Sequence, residues 1–81
     1  MKMKKIDSVL TFRELIMNEA SESGMMDEDV RNALGEDVED ILDGRMIVTI
    51  SQARRLYKAG LPLKPAHILY RSEIEYGRMV E

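Results

Sequence analysis

Helix starts and stops recur along this chain in the order that a string of short helices requires. Thr11 and Glu14 have the spacing of a capping box, in which each side chain satisfies a backbone N–H at a helix start. Phe12, Leu15, Ile16 and Ala20 then fall at helical spacing, and Gly24 suits the left-handed residue that ends a helix. A second helix is predicted from Asp27, as N-cap, to Leu34, with Gly35 closing it and Val30, Ala33 and Leu34 inward. A third runs from about Asp37 to Asp43 and stops at Gly44, with Val38, Ile41 and Leu42 as its apolar stripe. Thr49 and Gln52 form a second capping box. The helix they open presents Ile50, Ala53, Leu56 and Tyr57 inward and ends at Gly60. Pro65 is placed as the first residue of a fifth helix reaching about Arg78.

This pattern predicts an all-α fold over residues 11–81, preceded by a flexible basic segment at 1–10 carrying Lys2, Lys4 and Lys5. With 81 residues there is room for one domain. The one strand-like stretch, Arg45 to Ile50, lacks a partner of similar character, so it reads as an extended connection whose apolar residues plug the core. Leu34, Ile41, Leu42, Leu56 and Leu69 are expected in that core, with Met25, Met26, Met46 and Met79 filling gaps.

Composition narrows the function classes. The chain has no cysteine, which rules out disulfides and thiolate metal sites and fits a cytoplasmic location. No apolar run approaches the ~20 residues of a membrane span, and the Lys-rich start lacks the apolar stretch of a signal peptide. Asp27, Asp29 and Arg31 fail the EF-hand pattern, because a cation occupies the third ligand position. No nucleophile motif or phosphate-cradling glycine loop accompanies the single His67, so no enzyme, cofactor or metal is expected.

Charge is strongly asymmetric. Residues 6–44 carry twelve acids against Arg13 and Arg31, whereas Arg45 to Arg71 holds six bases and no acid. One surface should therefore repel polyanions and another attract them. The candidate DNA-binding residues are Arg45, Arg54, Arg55 and Lys58, although Arg54 and Arg55, being adjacent, cannot share a helix face. Glu36, Asp37, Glu39, Asp40 and Asp43 form an acidic run that could mimic DNA, bind a basic partner or be a solvated face. Tyr70, Ile74 and Tyr76 exceed what a small core hides and mark a candidate homodimer surface on the last helix.

Four stretches carry a family resemblance: Asn32-Ala33-Leu34-Gly35, Ile41-Leu42-Asp43-Gly44-Arg45, the segment from Val48 to Gly60, and Lys64-Pro65-Ala66-His67-Ile68-Leu69. In that order they resemble the Cro/repressor (lambda-repressor-like) type of helix-turn-helix domain, and within it the HigA-like antitoxins. The resemblance spans residues 11–71. It implies a five-helix domain with a helix-turn-helix in the second and third helices, the third entering the DNA major groove. It also implies a transcription regulator or antitoxin that contacts DNA, a protein partner such as a toxin or repressor, or both. The chain departs from that pattern at Arg31, where a small alanine is usual, at Glu36, where an apolar residue is usual, and in the short spacing from Gly35 to Gly44. The departures leave open a second reading. In it the chain is a protein-interaction module, an antirepressor or a DNA mimic, on a fold that no longer reads DNA.

Overall fold

The computed structural model describes residues 10–80, and over these the chain is helical with no strand. Four helices have eight residues or more: α1 (Phe12–Glu22), α2 (Asp27–Leu34), α4 (Ile50–Ala59) and α5 (Pro65–Val80). Between α2 and α4 the chain makes a 3-10 turn (Gly35–Asp37) and a short helix, α3 (Val38–Leu42). The basic segment 1–9, including Lys2, Lys4 and Lys5, lies outside the described residues. Among the described residues no helix is long and apolar enough to cross a membrane.

Both capping boxes form. Thr11 N–H donates to Glu14 Oε1 at 3.0 Å and Glu14 N–H to Thr11 Oγ1 at 3.1 Å. Thr49 N–H donates to Gln52 Oε1 at 2.9 Å and Gln52 N–H to Thr49 Oγ1 at 3.1 Å. Each threonine cap contributes about 1 kcal/mol. The start of α2 differs from expectation. Its N-cap is Met26, which makes no side-chain cap, and Asp29 instead reaches back to accept the Met26 N–H at 2.9 Å. The third helix is shorter than the predicted Asp37 to Asp43, because the chain first makes the 3-10 turn. The last helix runs two residues past Arg78.

Phe12, Ile16, Leu34, Ile41, Leu56, Leu61 and Ile68 are fully buried and form the centre of the core. Leu42 joins them, while Leu69 is only half-buried and packs against the core from its edge. On α4 the inward face is Gln52, Ala53 and Leu56. Ile50 and Tyr57, expected inward, are exposed. The inward slot belongs to Gln52, whose Nε2 donates to the Leu34 carbonyl at the end of α2. A helix end must satisfy its last carbonyls, so here a polar residue is worth more inside than an apolar one. Of the connection from Arg45 to Ile50, only Val48 plugs the core; Met46 and Ile47 are exposed. Met25 is buried as expected, but Met26, Met46 and Met79 are not.

Two further polar residues lie inside and join distant parts of the chain. Ser72 Oγ accepts the Val48 N–H at 2.9 Å, fixing the connection onto α5. Glu75 Oε1 accepts the Phe12 N–H at 3.2 Å and so caps α1 from the far end of the sequence. At the turn before the connection, Gly44 adopts φ +82°, and a Cβ there would stand 2.8 Å from Glu75 Cγ and 2.9 Å from Met79 Cγ. The turn and α5 therefore touch where only glycine fits.

Candidate functional site

The acidic run is built on the 3-10 turn and α3, and its charge is largely answered from within the chain. Arg13 of α1 reaches across to Glu39 at 2.6 Å and to Asp43 at 2.9 Å. Arg31 of α2 pairs with Asp27 at 3.0 Å and with the other oxygen of Glu39 at 3.1 Å. Arg45 pairs with Asp40 at 2.9 Å and with Asp43 at 3.4 Å. These seven residues form one chain of alternating sign from Asp27 to Asp40, tying α1, α2 and α3 together. The Arg13 guanidinium is the main cause holding the Glu39 and Asp43 carboxyls below the usual carboxylate range, assisted by Arg31 at Glu39 and Arg45 at Asp43. The same partners push the three guanidinium groups further toward the charged form. Exposed Glu36 and half-buried Asp37 make no ion pair among the described residues.

The four basic candidates do not form one surface. Arg45 belongs to the acidic network. Arg55 Nε donates to the Ala33 carbonyl at 3.0 Å, so it works beside Gln52 as a cap for the end of α2. Arg54 and Lys58 remain exposed on α4, one turn apart on the same side. The apolar trio on α5 is divided as well. Tyr70 is exposed and Ile74, four residues on, shares its side, but Tyr76 lies two residues past Ile74 and faces elsewhere at 3.6 residues per turn. Ile74 and Tyr76 are half-buried.

His67 is exposed and shares a groove with Glu19, Glu22 and Arg71 between α1 and α5. Among the described residues no group of three histidine or acidic side chains is placed to hold a metal ion.

Sequence reasoning missed two things. One is the role of Arg13 and Arg31 as ion-pair partners of Glu39, which the sequence pattern does not reveal. Their being the only bases between residues 6 and 44 was the available signal. The other is an open groove of about 390 Å³ between α1 and the start of α2, lined by Met17, Ala20, Ser21, Gly24, Met25, Met26 and Asp27. No protein-family model matches this chain, and no curated protein or solved structure matches it.

Proposed function

We infer that this chain is a regulatory protein-binding module on a Cro/repressor-like helix-turn-helix arrangement, and that it does not read DNA through α3. The order of helices and breaks supports that arrangement: α2, a tight turn at Gly35 and then α3 follow one another as they would in a helix-turn-helix. The observation that carries the functional reading is the surface of α3. A reading helix contacts base edges with its first turn while nearby cations hold phosphates. Here the first turn of α3 presents Glu39 and Asp40, the 3-10 turn before it carries Glu36 and Asp37, and the three arginines that reach this face are held by carboxylates. Asp27, Glu36, Asp37, Glu39, Asp40 and Asp43 outnumber the three arginines, so this face stays net negative; DNA carries about one negative charge per 1.7 Å of axis and is repelled by it.

A second reading, DNA contact through α4, is favoured by Arg54 and Lys58. They are exposed, lie one turn apart and have no hydrogen-bond or ion-pair partner among the described residues. A salt-titrated binding assay with generic duplex DNA separates the two. The protein-binding reading expects no DNA binding even at low salt. Binding that weakens steeply with salt, and that Arg54→Glu or Lys58→Glu abolishes, would establish the second reading.

A further inference from the structure

Two residues that helical periodicity expects inside the fold stand outside it, and both are on α4. Ile50 is 43 % exposed and Tyr57 49 % exposed, while polar Gln52 takes the inward position. Departures of this kind mark places where a surface serves something other than folding. At 3.6 residues per turn, Tyr57, Ile50, Arg54 and Lys58 follow one another around the helix within about 100° of arc. All four are exposed, on the far side of α4 from buried Gln52 and Leu56. Ile50 and Tyr57 lie two turns apart, about 10 Å along the axis. The stripe is therefore apolar along one edge and cationic along the other.

The charge of this stripe is its own. α4 carries Arg54, Arg55 and Lys58 and no acid. Arg54 and Lys58 make no ion pair or hydrogen bond among the described residues, and the Tyr57 hydroxyl makes no hydrogen bond there either. α2 packs against α4, and its Asp29 lines a groove of about 280 Å³ with Arg55 and Lys58. Asp29 is turned to the start of its own helix, where it accepts the Met26 N–H, and it pairs with neither cation.

We propose that this stripe docks an acidic amphipathic helix of a protein partner. Apolar side chains of that helix cover Ile50 and Tyr57, and its Asp or Glu side chains pair with Arg54 and Lys58. The proposal rests on the protein-binding reading and supplies the partner's chemistry. Duplex DNA, with its uniformly anionic backbone, answers only the cationic edge and leaves Ile50 and Tyr57 uncovered. A second copy's α3 offers carboxylates that Arg13, Arg31 and Arg45 already hold.

The test uses the full chain and a fluorescein-labelled helical peptide about five turns long, with leucines two turns apart on one face and glutamates beside them. Anisotropy is expected to show saturable binding of this peptide and none of its Leu/Lys counterpart. Tyr57→Ala is the discriminating variant, because it keeps both cations and removes only apolar contact. Affinity is expected to fall roughly tenfold in Tyr57→Ala. It should stay within about twofold of wild type in Tyr70→Ser, whose aromatic ring is exposed on α5 instead. With the isoleucine methyl groups carbon-13 labelled, the peptide is expected to shift Ile50 and leave Ile74 in place. Failure of the wild-type chain to bind the Leu/Glu peptide overturns the proposal. So does equal binding of the Leu/Lys peptide, affinity in Tyr57→Ala within about twofold of wild type, or a shift at Ile74 instead of Ile50. Self-association in sedimentation that Tyr57→Ala weakens would give the stripe to a second copy and overturn it as well. If the peptide fails and duplex DNA is also not bound, only this proposal falls. If duplex DNA binds and Arg54→Glu abolishes that binding, the stripe belongs to nucleic acid and the protein-binding reading falls with it.

Discussion

Replacing Gly44 with alanine tests the packing of α5 against the rest of the fold, and Gly24→Ala supplies its internal reference. Both glycines have nearly the same backbone, φ +82° and +81°. An alanine in that region costs about 1–2 kcal/mol, partly offset by about 0.4–1 kcal/mol from the stiffer unfolded chain. The surroundings differ. A Cβ at residue 24 meets nothing within 4 Å, so Gly24→Ala is expected to cost about 1 kcal/mol. A Cβ at residue 44 falls 2.8 Å from Glu75 Cγ, 2.9 Å from Met79 Cγ and 3.4 Å from the Glu75 carbonyl oxygen. Met79 is exposed and can swing away, but Glu75 is buried and holds the Phe12 N–H. Displacing it adds overpacking of about 1–3 kcal/mol. Gly44→Ala is therefore expected to cost about 2–4 kcal/mol, a large part of the stability of a domain this small. Urea unfolding followed by helical circular dichroism measures both variants. The expected gap between them is more than about 1 kcal/mol. A gap below about 0.5 kcal/mol would mean that α5 does not press on this turn, and the role given to Glu75 as the distant cap of α1 would fail with it.

Leu56 is fully buried, so Leu56→Ala is expected to cost about 2–5 kcal/mol in the same assay, whereas Tyr57→Ala, next to it on the exposed side, should stay within about 1 kcal/mol. Glu39 and Asp43 have lowered pKa values in the folded chain, so the stability they contribute is complete above the ordinary carboxylate range. It is lost as pH falls below about 4. Midpoints measured down through that range should drop less steeply in Arg13→Gln, which lacks the principal partner; an unchanged slope would refute the pairing. Sedimentation at high concentration should show a dimer that Tyr70→Ser weakens, since Tyr70 is the most exposed apolar residue on the side it shares with Ile74. A monomer at every concentration would remove α5 as a self-association surface.

The helix starts and stops were legible from the chain alone because they depend on neighbours. Thr11 and Glu14, or Thr49 and Gln52, lie three residues apart and find each other in any helix that begins there. The left-handed glycines at 24, 35, 44 and 60 likewise act through the local backbone. Periodicity also placed Leu34, Ile41, Leu42 and Leu56 inside. It erred at Ile50 and Tyr57, since a 3.6-residue repeat names a stripe but not which edge of it the neighbouring helix covers. Only the packing of α4 on α2 decided that polar Gln52 would take the inner position.

The candidate site was less legible, and for the same reason in a stronger form. Charge counting found the acidic run but could not see that Arg13 meets Asp43 thirty residues away, or that Arg31 shares Glu39 with it. Nor could the chain alone separate Met25 from Met26, two identical side chains side by side. Their fates diverge because the turn at Gly24 aims one inward against Gly60 and leaves the other at the mouth of a groove, and that direction exists only once α1, α2 and α4 are assembled.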